Sequence, residues 1–182
     1  MKKILAFAGS NSSTSINFQL LTHVASRIQG HEVKVQDFTQ YELPIYSADR
    51  EKERGIPVSA KIINKIIHEH EALIIAVNEH NGNVSAYFKN IIDWLSRLDR
   101  NFLEGKKILL ISTSPGKRGA AAALEYTKGI LPRFGGAIIE SFSLPSFNDN
   151  FRDGKVLNEV LDMGVEDLLT TFSHQLESGQ SN

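Results

Sequence analysis

The sequence predicts a three-layer α/β/α sandwich built on a five-stranded parallel sheet. Three observations carry that reading. Short apolar runs alternate with longer amphipathic ones along the chain, the mark of alternating strands and helices. The short runs are almost continuously apolar, as strands covered on both faces must be. Five strand candidates each precede a helix candidate, so right-handed crossovers set consecutive strands parallel.

Ile4 to Ala8 is the first strand, closed by Gly9-Ser10. From Ser15 the period changes: Phe18, Leu21, Ala25 and Ile28 recur at helical intervals, and Gly30 ends that helix as a C-terminal glycine. Val33 and Val35 begin the second strand. Residues 38 to 57 hold Pro44, Gly55, Pro57 and the charged run Asp49 to Arg54. They read as a long surface loop, of a length usually kept for function or mobility. Ser59 to Glu69 is a helix with Ile62, Ile63, Ile66 and Ile67 on one face. Leu73 to Val77 is the third strand, Asn78 to Asn83 a polar turn, and Ser85 to Arg97 a helix. Lys107 to Ser112 is the fourth strand, followed by the turn Ser114-Pro115-Gly116. Gly119 to Phe134 is a helix broken by Gly135-Gly136. Ala137 to Phe142 is the fifth strand, and a loop through Pro145 leads to a last helix from about Lys155 to Leu176. Five strands favour the order 2-1-3-4-5, the flavodoxin-like order. On this reading residues 1 to 177 form a single domain and 178 to 182 a polar tail.

Composition narrows the function classes. The chain has 182 residues with 41% hydrophobic and 23% charged residues, enough to bury a full core without disulfides or metals. Its formal net charge of -1 at pH 7 selects neither nucleic acid nor an anionic membrane as a partner. The absence of cysteine removes disulfides, thiolate metal sites and cysteine nucleophiles, and suits a reducing compartment. No run approaches the roughly 20 apolar residues of a transmembrane helix. Lys2-Lys3 precedes only Ile4 to Ala8, which reads as a first strand rather than a signal peptide. A cytoplasmic setting is expected.

In such sheets ligands bind beyond the carboxyl ends of the strands, at the switch point. The informative stretches therefore follow strands one, three and four. The first, Gly9 to Asn17, carries four serines, one threonine and two asparagines, then opens a helix. A helix start offers unpaired N–H groups and a partial positive charge, and added hydroxyls make a phosphate cradle that needs no cation. A plain helix cap at Ser15 is the alternative. The second stretch is Asn78-Glu79-His80-Asn81-Gly82-Asn83, where Gly82 permits a turn with positive φ. The third, Ser112 to Gly119, adds hydroxyls and amides near a second helix start. There is no G-x-x-x-x-G-K-[ST] and no G-x-G-x-x-G after the first strand, which disfavours a P-loop or a Rossmann dinucleotide site. The acidic pair and strand-three aspartate of a phosphoacceptor receiver domain are also missing.

At these loops the sequence resembles the NAD(P)H-dependent FMN reductase family. Gly9, Ser10, Ser15 and Asn17 match its G-S-x-R-x-x-S-x-N signature. Glu79, Asn81, Lys89, Asn90, Ile92, Asp93 and Trp94 match P-E-Y-N-x-S followed by L-K-N-x-I-D-W. Ser112 to Gly119 looks like the family's serine- and glycine-rich third turn. The family arginine falls at Ser12, the proline and tyrosine of the second motif at Asn78 and His80, and its serine at Asn83.

The resemblance implies bound FMN, with NAD(P)H as co-substrate. Ser10, Ser12, Ser15, Ile16 and Asn17 would hold the phosphate. Asn78, Glu79, His80, Asn81 and Gly82 would pass along the isoalloxazine, mainly through backbone atoms. Ser112, Ser114 and Gly116 would close its other side. It further implies a ping-pong reaction in which electrons reach a quinone, free flavin or similar small acceptor, in a homodimer or homotetramer. The chemistry would be the flavin's, so no side chain is named as catalytic. A flavodoxin-type electron carrier and a degenerate member acting as a binding protein are the alternatives.

Four other features have plainer readings. His68-Glu69-His70 invites a metal, but at i and i+2 the histidines leave the helix on different faces, so a solvated helix end is expected. Trp94 sits among Ile91, Ile92 and Leu95 and is expected in the core. For Asp93, capping or an interface hydrogen bond is expected. His80 reads equally as a contact of the ring edge and as a solvated turn residue.

Overall fold

The apolar run after Lys2 forms the strand β1 (Lys3–Ala8), from which the sheet grows outward. In this computed structural model, which describes residues 1–178, β2 (Glu32–Val35) lies on one side of β1. On the other side follow β3 (Ala72–Val77), β4 (Lys107–Thr113) and β5 (Ala137–Leu144). The order is β2-β1-β3-β4-β5 and every pairing is parallel. This is the expected flavodoxin-like sheet.

Burial follows position in the sheet. Every residue of β3 is buried, as are Ile4 to Ala8 of β1 and Ile108 to Thr113 of β4, because helices cover both faces. β2 and β5 are the edges: β2 is mostly exposed and β5 is mostly half-buried. One face carries α1 (Ile16–Ser26) and α6 (Glu159–Ser178), through Leu20, Leu21, Val24, Val165 and Phe172. The other carries α3 (Val58–His68), α4 (Ala86–Leu98) and α5 (Ala121–Ile130), through Ile63, Ile67, Phe88, Leu95 and Leu124.

Several boundaries differ from expectation. The supposed loop 38 to 57 contains a short 3₁₀ turn, Phe38–Gln40, and a helix, α2 (Ala48–Arg54). α1 ends at Ser26, so Gly30 (φ 74°) turns the connection beyond it instead of terminating the helix. Ile62 faces outward, and Ala60 joins Ile63, Ile66 and Ile67 on the buried face. The helix after β4 stops at Ile130 and tightens into a 3₁₀ turn, Leu131–Phe134, where Pro132 removes a donor. The turn after β3 is a small hairpin, Glu79–His80 against Asn83–Val84, and a second pairs Phe151–Arg152 with Lys155–Val156. The last helix therefore begins at Glu159 and runs through Glu177 to Ser178; positions 179–182 of the expected tail lie outside the described residues. Among the described residues no helix is long and apolar enough to cross a membrane.

Candidate active site

The register of β1, β3 and β4 brings their carboxyl ends together. Ala8 pairs with Ala76, and Val77 with Ser112. The three loops that follow are thus neighbours, as the switch-point argument requires. Gly9 locks them in place. Its N–H donates to the Ala76 carbonyl at 2.8 Å, and its own carbonyl accepts from Ser85 Oγ at 2.7 Å. A Cβ at Gly9 would lie 2.8 Å from the Phe88 ring, so only glycine lets α4 approach this strand end.

The first loop is a shallow cradle. Ser15 caps α1 by accepting from the Phe18 amide at 3.2 Å. The Ser12 Oγ lies 3.3 Å from Thr14 Oγ1 and accepts from the Thr14 amide, which fixes the loop's curvature. Ser10, Ser12, Ser13 and Thr14 keep their hydroxyls within reach of a ligand, lining a cavity of about 350 Å³. At the helix start the amides of Ile16 and Asn17 have no protein acceptor among the described residues. Free amides, hydroxyls and a helix start together suit a phosphoester dianion.

From this cradle an adjoining cleft of about 200 Å³ runs past the other two loops. Ser10, Ser12, Ser15, Ile16 and Asn17 line one end; Asn78, Glu79, His80 and Ser114 continue it. Nine of the expected site residues therefore meet. The other four do not reach the cleft. Asn81 (φ 52°) and Gly82 (φ 78°) form the exposed hairpin tip, where both central residues need positive φ. Ser112 is fully buried and its hydroxyl donates to the Gly119 carbonyl at 2.7 Å. Gly116 is exposed behind Pro115, its carbonyl taken by the amides of Gly119 and Ser146.

Other motif residues act on the scaffold. Asn17, 3% exposed, exchanges two hydrogen bonds with the backbone of Thr113: Nδ2 donates to its carbonyl at 3.0 Å and Oδ1 accepts from its amide at 2.9 Å. Glu79 Oε2 accepts from the amides of Ala122 and Ala123 at 2.9 and 3.1 Å, so its carboxylate caps α5. Asn90 and Trp94 secure the segment leading to α2. Asn90 accepts from the Tyr46 amide at 2.9 Å, and the Trp94 indole donates to the Pro44 carbonyl at 2.6 Å. Trp94 is fully buried, as expected, and Asp93 pairs with Lys89 at 2.5 Å. His80 is exposed on the hairpin while lining the cleft. His70 is not solvated as expected: it is buried, and Nδ1 donates to the Ile66 carbonyl at 2.7 Å, while His68 pairs with Asp99.

Phe18, Gln19, Asp37 and Thr39 also line the cradle and were not among the expected residues. Asp37 and Thr39 follow β2, which borders β1, so the strand order itself carries the signal that would have found them. On the neighbouring α4, burial and the Asp37 charge push the Tyr87 phenol up to about 12, which keeps it protonated.

The chain matches the NADPH-dependent FMN reductase family over residues 2–149. It is similar to a quinone reductase of Escherichia coli (strain K12), with 32% identity over 132 residues, 71% of this chain and 69% of the relative. An NAD(P)H-dependent FMN reductase of Pseudomonas aeruginosa is 29% identical over 130 residues, again 71% and 69% of the two chains. Among solved structures, the flavoenzyme NAD(P)H:(acceptor) oxidoreductase of Paracoccus denitrificans shares the fold. It superposes with a TM-score of 0.80 at 24% identity, covering 98% of both chains. The match spans all three loops that build the cleft, and on it the chain belongs to the NADPH-dependent FMN reductase family.

Proposed function

We propose that the chain is an FMN-dependent oxidoreductase that takes electrons from NAD(P)H and passes them to a small acceptor, a quinone foremost. The observation that carries this reading is that the Ser10–Ser15 cradle and the cleft past Asn78, His80 and Ser114 adjoin along a path lined by Ser10, Ser12, Thr14 and Ser15, which border both. That path suits a phosphorylated, ring-bearing ligand. Ser10, Ser12 and the amides of Ile16 and Asn17 would hold the phosphate, with the ring bounded by the loops after β3 and β4. The names of the relatives, quinone reductase and NAD(P)H-dependent FMN reductase, support the same choice of donor and acceptor.

Bound flavin supplies hydride acceptance from a nicotinamide and electron delivery to a second substrate, which on this reading occupy one site in turn. The protein's own part is orientation. Asn17 fixes the cradle to the end of β4, Glu79 fixes the second loop to α5, and Gly9 holds β1 against α4. Preorganised amides at these loop ends stabilise negative charge without reorganising. The expected setting is cytoplasmic and the expected assembly a homodimer or homotetramer, which light scattering on the purified chain tests.

The primary test is purification followed by FMN titration and turnover. The expected result is a yellow protein that oxidises NADH or NADPH when benzoquinone is added, with parallel double-reciprocal plots. A colourless chain that binds no added FMN sinks the proposal. A chain that binds FMN yet leaves NAD(P)H untouched is an electron carrier instead.

A further inference from the structure

The buried polar side chains around the cleft are nearly all committed to the protein. Asn17 is bonded to Thr113, Ser85 to Gly9, Ser112 to Gly119, and Thr113 Oγ1 to the Leu144 carbonyl. Asn78 is the exception. It is 8% exposed, lines the cleft, and its Oδ1 is buried with no hydrogen-bond partner. Its Nδ2 likewise donates to no protein group among the described residues. Leaving a buried carboxamide unpaired is costly, and such a group in a native fold calls for a partner that the protein does not itself supply.

We propose that Asn78 binds the imide edge of the flavin ring, pairing with N3–H and a flanking carbonyl oxygen. The inference rests on the flavin reading above and adds to it one specificity-determining side chain. A carboxamide offers one acceptor and two donors. The imide edge offers one donor between two acceptors, so the two match in a bidentate pair. The dimethylbenzene edge offers neither. The phosphate dianion is not the partner: it carries only acceptors and would leave the unpaired Oδ1 without a donor, whereas N3–H supplies one. The motif this chain resembles has proline at this position, which carries no polar side chain, so the contact distinguishes this chain within that pattern.

The experiment follows quenching of flavin fluorescence as FMN or 3-methyl-FMN is added to the flavin-free full chain. Wild type and Asn78→Leu are compared; leucine keeps the volume but not the hydrogen bonds. The wild type is expected to bind FMN roughly tenfold or more tighter than 3-methyl-FMN, the scale of one lost buried hydrogen-bond pair. Asn78→Leu is expected to bind FMN roughly tenfold more weakly than wild type and to treat the two flavins alike. A packing role would survive the leucine substitution, so unchanged FMN affinity in Asn78→Leu overturns the proposal. Equal affinity of the wild type for FMN and 3-methyl-FMN overturns it too, and that arm needs no variant to fold. No FMN binding by the wild type is a different outcome, which ends the flavin reading itself and this inference with it.

Discussion

Asn17 occupies a motif position that invites a ligand contact, yet both polar atoms of its side chain are spent on Thr113. The sequence could place Asn17 at the site but could not reveal this, because its partner is 96 residues away. The reciprocal pair sets the distance between the phosphate loop and the end of β4. Asn17→Ala strands a buried amide and a buried carbonyl, each worth about 1–3 kcal/mol when unpaired. The variant should therefore lose on the order of 2–4 kcal/mol in urea denaturation and bind FMN more weakly, because the loop is no longer fixed. Retained stability would show that the pair is dispensable. Ser12 makes the opposite case. It stands where the resembled family has arginine, and its hydroxyl bonds only within the loop, to Thr14. Among the residues lining the cradle the only charged side chain is the Asp37 carboxylate and none is a cation, so Ser12→Arg adds a charge-assisted contact. FMN affinity should rise about fivefold at low salt, with the gain shrinking as salt screens it. No gain in a titration would mean that the amide cradle already satisfies the dianion.

At the scale of elements, the K-N-x-I-D-W segment of α4 works as a fastener. Asn90 and Trp94 take hold of Leu43 to Tyr46, and Arg97 reaches Glu51 on α2 at 2.9 Å. Asn90→Ala leaves the Tyr46 amide without its acceptor and loosens the whole 41–54 segment. Cleavage by trypsin within α2, at Arg50, Lys52 or Arg54, should quicken roughly tenfold, since proteolysis tracks the local opening equilibrium. An unchanged cleavage rate would show that Trp94 alone suffices. α2 was also the element least legible in the sequence. Ala48 to Arg54 has no buried residue, so it has no apolar stripe to read. Its signals are electrostatic instead: the Ser47 cap, acids in the first turn, Lys52 and Arg54 in the last, and Gly55 at positive φ beyond. The two hairpins escaped because two-residue strands are too short to alternate. Their Asn81-Gly82 and Asp153-Gly154 turns were the visible sign. The five sheet strands were legible because continuous burial leaves an unbroken apolar run.

At the scale of the molecule, the two ends of the chain are joined across one face of the sheet. Arg27, the residue that caps the C-terminus of α1, binds Asp162 and, at 2.7 Å, Glu166 on α6. His23, one turn earlier, lies 3.3 Å from the Arg27 guanidinium and packs edge-on against Phe151 at 5.7 Å. Burial, and then the adjacent Arg27 charge, hold its imidazole below the ordinary value of 6.5, although a hydrogen bond to the Gly154 backbone and the Asp162 carboxylate oppose the shift. The sign of the pH effect follows from that direction. Between the ordinary value and the lower folded one, the unfolded chain binds a proton that the folded chain refuses, so stability falls as pH falls. The contribution of His23 is complete above 6.5 and is lost progressively below it. Other groups titrate in the same range, so the measurement must be a difference. Urea midpoints of wild type and His23→Gln, taken from about pH 8 to about pH 5, should separate most at the alkaline end and converge as pH drops, because glutamine cannot charge. A gap that stays constant across the series would mean that His23 serves the α1–α6 contact by packing alone.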